Sequence, residues 1–419
     1  MPSRRRFLRQ SAGAAALAPL VGCAQAAAAE SPRLGPEVEA LGRPAWSRRL
    51  NGELRQATVR EVNAYAVRRA IFVQVVADDG TDGWGEAGHD GGPFTAALVE
   101  RELRELVVGR DVFDAEATWA AMYFEADELG PSGLIAQAIA GVDCALWDLR
   151  GKLLGMPVCD LIGGRFRETI PLYGSFTRGR QRTPEAAAEH ALELQAEGFQ
   201  GLKFRLNIRE EGQDPFDDPA MPFMGAIRRA VGDDMPLYVD PNNGYSSSRA
   251  IRVGRQLAAE FGVELIEEPV AAYQYSEMAE VADALDMPVA GGEHEYTKWQ
   301  FRDLILHGRA DVINPDVSKL AGLTEAKKVA ALAEVFDTPI SVHNARPTLL
   351  TAAHLHFIAS SRMAHRLQEH PARNRLDELW QFFENRFTVN PDGTIDVPTS
   401  PGLGLVPDIR AIRAAAETL

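Results

Sequence analysis

Leu237-Tyr238-Val239-Asp240-Pro241-Asn242, Glu264-Leu265-Ile266-Glu267-Glu268-Pro269 and Pro288-Val289-Ala290-Gly291-Gly292-Glu293 follow one another along this chain, each a short apolar run that closes on carboxylates. Asp240, Glu267 and Glu293 stand 27 and 26 residues apart, one strand-plus-helix repeat each. Runs of the same kind lie at 170–175, 201–206, 311–316, 339–343 and 366–369, with alanine-rich amphipathic segments between them. Eight strand-then-helix units predict an α/β fold built on a (β/α)₈ barrel of the TIM type. An open doubly wound sheet is the alternative, but no glycine-rich phosphate fingerprint follows the first run.

Side chains at the C-terminal ends of barrel strands converge on one mouth. Here those ends carry Lys203, Arg205, Asp240, Asn242, Glu267, Glu293, Asp316, His343 and Glu369. Three carboxylates on adjacent strands repel one another, and a hard divalent cation with a preference for oxygen resolves the conflict; magnesium is the natural choice. Asp316 and His343 close neighbouring runs, and an Asp bonded to one imidazole nitrogen raises the basicity of the other, as a general base requires. Lys203 and Arg205 alternate by two, so both are expected to face the mouth. Arginine keeps its proton, which makes Arg205 a clamp and a poor base; the alternative is that one of the two cations serves only to neutralise nearby carboxylates.

The 419 residues carry 44 Lys+Arg against 59 Asp+Glu, a net charge of −15, which argues against a nucleic-acid partner. The first residues read Ser3-Arg4-Arg5-Arg6-Phe7-Leu8-Arg9, then a short apolar run and an alanine-rich stretch. That order is the order of an export signal, and the paired arginines look like the twin-arginine type, so a periplasmic enzyme is expected, or a cytoplasmic one if the leader is inactive. Leu20-Val21-Gly22-Cys23 resembles a lipobox, so any membrane attachment would run through a lipidated Cys23. Cys144 and Cys159 sit in apolar helical stretches and are expected as buried thiols.

The chain is thus divided into a leader (1–28), an arm (29–57), an α+β capping domain (58–165), the barrel (166–378) and a C-terminal segment (379–419) that returns to the capping domain. Within the capping domain, strands are expected at 61–67 and 70–77, a glycine-rich loop from Trp84 to Gly92, and helices between Pro93 and Leu154.

These residues in this order resemble the enolase superfamily and, within it, the mandelate racemase group, a type of site that general enzymology describes as a Lys or His base working with magnesium. Ala138-Ile139-Ala140-Gly141-Val142-Asp143-Cys144-Ala145-Leu146-Trp147-Asp148-Leu149-Arg150-Gly151-Lys152 looks like the family's signature helix, and Trp84-Gly85-Glu86 like its N-terminal domain. The resemblance implies a capping domain formed by the N-terminal region and the C-terminal tail, with loops around His89-Asp90-Gly91 and Phe124-Glu125 selecting the substrate. It assigns Asp240, Glu267 and Glu293 to one magnesium ion and Asp316 with His343 to the catalytic dyad. The same resemblance places Lys203 beside the substrate carboxylate, makes Glu369 a hydrogen-bond donor to the enolate, and sets Asn242, Lys319 and His294 around the substrate.

One position departs from the family. Where the racemase has a second lysine as base, this chain has Arg205, which disfavours a two-base racemase or epimerase of 2-hydroxy acids. A single His base is similar to the acid-sugar dehydratases of the group, and 292–297 most resembles those of the rhamnonate dehydratase kind. The expected activity is therefore a lyase that dehydrates a sugar acid to a 2-keto-3-deoxy acid, in a homo-oligomer; a non-catalytic binding protein on the same fold is the rival from another class.

Overall fold

The computed structural model describes residues 57–88, 91–130, 132–209, 212–372 and 375–416. The expected leader, Cys23 and all of the arm but Ala57 lie outside the described residues, as do His89 and Asp90 of the expected specificity loop.

The chain first forms an antiparallel sheet of β1 (Val59–Val67), β2 (Ala70–Ala77) and β3 (Asp82–Glu86), in that order. Trp84-Gly85-Glu86, expected in a loop, belongs to β3, which pairs with β2 from Phe72↔Glu86 to Val76↔Asp82. Its glycines mark close packing instead of a turn. A Cβ on Gly85 would stand 2.2 Å from the Gly141 carbonyl oxygen, and one on Gly83 2.2 Å from that of Ala145, both on the long helix Leu134–Leu154.

That helix is buried on nearly every face because three layers meet on it. Asp143 accepts from the backbone N–H (2.9 Å) and hydroxyl (2.6 Å) of Thr324, at the start of the barrel helix Leu323–Val335. Asp148 accepts from the N–H of Trp84 (2.8 Å) and of Leu403 (2.6 Å), joining β3 to the C-terminal segment. The acidic residues of the signature helix are therefore joints between domains. Cys144 and Cys159 are free and buried.

The barrel strands are β4 (Thr169–Thr177), β5 (Gly201–Arg205), β6 (Leu237–Asp240), β7 (Val263–Glu267), β8 (Val289–Gly291), β9 (Val312–Ile313) and β10 (Gln368–Pro371), all parallel and in the order β10-β4-β5-β6-β7-β8-β9. Thr183, Ser246 and Thr297 cap the helices that follow β4, β6 and β8, each side-chain oxygen accepting from the N–H three residues on, so these mouth loops end sharply.

The seventh run is not a strand: over 339–343 only Ile340 bridges, in parallel, to Ile313. The gap is spanned by a side chain. Gln368 accepts from the Val342 N–H (2.9 Å) and donates to the Ile340 carbonyl (3.0 Å), doing with one carboxamide what a ladder does with backbone. The eighth strand starts two residues later than expected, where its pairing with β4 begins at Gln368↔Leu172.

The C-terminal segment touches both domains. Phe383 meets Phe72 of β2 edge-on at 5.6 Å, whereas β11 (Thr394–Asp396) pairs antiparallel with the start of β4. Among the described residues no helix is long and apolar enough to cross a membrane.

Candidate active site

Strand alternation builds the site from its floor. Tyr173, Tyr238, Leu265, Ala290 and Val312, with Leu367 against them, form a separate apolar layer inside the barrel. Two residues further along the same strands stand Ser175, Asp240, Glu267, Asn314 and Glu369, so the next interior layer is polar. Lys203 and Arg205 follow Gly201 on β5 with the same alternation.

Lys203 is the centre of this layer. It is fully buried, and its Nζ lies 2.5 Å from Glu267 Oε1 and 2.9 Å from Glu369 Oε1. Burial opposes its charge, but Glu267 and Glu369 outweigh it and hold the ammonium well above its ordinary pKa. Lys203 is therefore a fixed positive charge. Glu369 also accepts from the Asn344 N–H at 3.0 Å. Burial pushes it up, yet Lys203 and His343 prevail and keep it below the usual carboxylate range. In this arrangement it accepts hydrogen bonds, whereas the resemblance gave it a donor's part.

His343 binds Asp316 Oδ2 through Nδ1 at 2.8 Å and reaches Glu293 Oε2 through Nε2 at 3.1 Å. Burial favours the neutral ring, but Glu293 and Asp316 raise its pKa to about 9. Asp316 goes the opposite way, well below its ordinary value, because bonds from His343 and His354 overcome its burial. His354, whose Nε2 lies 3.4 Å from Asp316 Oδ1, was not anticipated; it sits in a mid-helix apolar run with no motif to flag it.

The three expected metal ligands are all buried at adjacent strand ends. Burial, then the neighbouring carboxylates, lift Asp240 to about 7 and Glu267 to about 8 against the pull of Lys203. Glu293 is held low, since His343 and Lys319 overcome its burial. An all-oxygen set this short of compensating charge fits a small hard cation. The tightest group among the described residues is a different one, Glu268, Glu293 and His294, with ligand atoms within 4.8 Å of one another. Glu268 leaves the strand with φ 41° and is already bonded to Asn243 (2.7 Å) and His294 (2.8 Å), and an imidazole is a softer donor, so the inner set suits magnesium better.

A cavity of about 440 Å³ opens on this layer, lined by Lys203, Arg205, Asp240, Glu293, Lys319, His343 and Glu369 together with Arg180, Gln181 and His190 beyond β4. Two expected substrate neighbours are not on its wall. Asn242 is bonded to the guanidinium of Arg205, and His294, bonded to Glu268, lines a second cavity of about 540 Å³. Alternation explains His294: the chain turns at Gly292 (φ 132°), so consecutive residues after β8 face different cavities. Lys319 does line the site, 3.5 Å from Glu293. Arg180, Gln181 and His190 were missed because they follow β4 with no spacing pattern of their own.

Two family models match this chain: the mandelate racemase / muconate lactonizing enzyme N-terminal domain over residues 54–163 and the enolase C-terminal domain-like model over residues 186–412. The chain belongs to the enolase superfamily. Within that superfamily it is 33% identical to D-galactarolactone cycloisomerase of Agrobacterium fabrum, over 81% of this chain and 89% of the relative. It is 29% identical to D-galactonate dehydratase of Xanthomonas oryzae, over 84% of this chain and 92% of the relative. A mandelate racemase/muconate lactonizing protein from Paracoccus denitrificans, solved with magnesium, superposes with a TM-score of 0.80 at 31% identity, over 87% of this chain and 99% of that one. Both superfamily domains are thus present, with the polar layer at the mouth of the second.

Proposed function

We propose that the chain is a magnesium-dependent acid-sugar dehydratase, a lyase that forms a 2-keto-3-deoxy acid. The observation that carries this is the His343–Asp316 pair facing Lys203 and Glu369 across one cavity. The dehydratase names among the relatives support it.

His343 Nε2 takes the α-proton of the bound acid, and the C–H electron pair moves toward the carboxylate. Asp316 holds Nδ1–H and with it the tautomer that leaves Nε2 free. Lys203 keeps a positive charge fixed under the enediolate, at no cost of reorientation during the reaction. The β-C–O bond then breaks, the hydroxyl leaves with the proton that His343 acquired, and the resulting enol becomes the keto acid. Glu293 beside Nε2 favours the charged ring, so its charge has to be compensated before His343 works as a base near neutral pH. A divalent cation held by Asp240, Glu267 and Glu293 would supply that compensation and offset charge growing on the substrate carboxylate.

A screen of sugar acids with magnesium, read by keto-acid formation and repeated with His343→Asn, tests the reading. A wild-type protein silent on every acid, or an unaffected variant, overturns it. The cycloisomerase relative supports a second reading, in which the β-leaving oxygen belongs to a ring of the substrate. Its product keeps the substrate's mass, whereas dehydration makes it one water lighter. The basic, apolar and small residues of 1–28 support export of the folded enzyme, which the mass of the mature protein and cell fractionation would test.

A further inference from the structure

The loop that carries His343 continues through Asn344, Ala345 and Arg346 to Thr348, the residue before the helix Leu349–Ala359. Its anchor lies in the other domain. Glu86, the last residue of β3, is completely buried, and Oε2 accepts from the Thr348 hydroxyl at 2.8 Å. Its Oε1 faces Arg346 Nη1 at 3.7 Å and has no hydrogen-bond partner among the described residues. Arg346, 3% exposed, sends the same Nη1 to the carbonyl of Arg69 at 2.6 Å, in the turn between β1 and β2.

From Arg346 the chain of bonds runs on to the chemistry. The Arg346 N–H donates to Asn344 Oδ1 (3.3 Å), and the Asn344 N–H donates to Glu369 Oε2 (3.0 Å). Thr351 closes the loop on itself, bonding Asn344 Nδ2 at 3.0 Å and the Arg346 carbonyl. A buried carboxylate and a buried guanidinium are costly to keep and are expected where they fix a geometry. Neither touches the catalytic cavity.

We propose that Glu86 is a positioning residue: through Thr348 and Arg346 it locks the capping sheet to the 343–348 loop and so sets where His343 and Glu369 stand. This rests on the dehydratase reading for its kinetic consequence, though not for its structural one. Misplacing a base by a fraction of an ångström slows the chemical step without altering how the substrate is held.

The test uses the full chain with Glu86→Gln, which keeps an acceptor for Thr348 and removes the charge facing Arg346, and Thr348→Val, which removes only the hydroxyl bond. Backbone hydrogen exchange over 343–351 is expected to rise in both, with exchange over β6 and β7 unchanged. For the dehydration, kcat per folded molecule is expected to fall about tenfold or more while KM stays within about twofold. Glu86→Asp, which restores the charge, should recover part of kcat. Unchanged exchange in the loop, or activity lost only in proportion to the unfolded fraction, overturns the proposal; should Glu86→Gln fail to fold, Thr348→Val decides alone. A wild type that makes no keto acid refutes the dehydratase reading and leaves the exchange result to judge Glu86.

Discussion

His343 Nδ1 lies 2.8 Å from Asp316 Oδ2, and the other oxygen of that carboxylate accepts from the N–H (2.8 Å) and hydroxyl (2.6 Å) of Ser318, so Asp316 cannot swing away from the ring. The tautomer of His343 is thereby fixed. In Asp316→Asn the amide can offer its own N–H to Nδ1 and leave the proton on Nε2, the nitrogen required as base. We expect kcat per folded molecule to fall about 10²- to 10⁴-fold with KM little changed. Steady-state keto-acid assays measure it; a loss smaller than about tenfold would argue against His343 as the base.

Charge at the proposed metal site gives a second prediction. Asp240 and Glu267 are lifted to about 7 and about 8, chiefly by burial, so a cation that satisfies them should stabilise the folded state. At a concentration about 100-fold above its Kd, bound magnesium adds about 2.7 kcal/mol. Chelation should stop turnover, and a magnesium titration should raise the melting temperature of the wild type but not that of Glu267→Gln or Asp240→Asn. A wild-type melting curve indifferent to magnesium would count against the assignment.

The barrel was legible because its signal repeats: each strand end carries its own polar residue, and the spacing of Asp240, Glu267 and Glu293 is a property of the chain. The contact between Asp316 and His343 could be read from their places at the ends of neighbouring runs. Other features depend on tertiary contacts that no local pattern announces. The run at 339–343 reads as a strand from its own residues, yet toward β10 it is held by the Gln368 side chain in place of a backbone ladder. His294 sits next to Glu293 in sequence, yet a one-residue step after β8 sends it to the other cavity. Glycine misled in β3, where composition suggested a loop and the cause was helix packing.

That packing makes Gly85 a sensitive position. A methyl group there would meet the Gly141 carbonyl oxygen at 2.2 Å and the Ala145 nitrogen at 2.7 Å, both backbone atoms of a helix fixed at Asp143 and Asp148. Neither can retreat without parting the capping sheet from the signature helix. Gly85→Ala should cost about 3 kcal/mol or more, at the upper end for overpacked sites. Gly80→Ala, in a turn with nothing near its Cβ but φ 90°, should cost only backbone strain, on the order of 1 kcal/mol. Urea denaturation of the two variants compares them, and equal midpoints would refute the packing argument.

Acid stability offers a test away from the active site. His356 is completely buried, and its Nδ1 accepts the Cys159 N–H at 3.1 Å. Burial, with Arg165 adding to it and a Leu403 backbone contact opposing, lowers its pKa to about 4 from an ordinary 6.5. Above about pH 6.5 the ring is neutral in both states and contributes nothing to the pH dependence. As the pH falls below that, the unfolded chain gains a proton that the folded one refuses. Stability is therefore lost between about pH 6.5 and 4, reaching on the order of 3 kcal/mol at the lower limit. His356→Asn places an amide oxygen where Nδ1 was, keeping an acceptor for Cys159 and removing the titration. Its urea midpoint should fall less steeply than that of the wild type between pH 7 and pH 5, about the upper half of that window; parallel slopes would mean that His356 is not the group responsible.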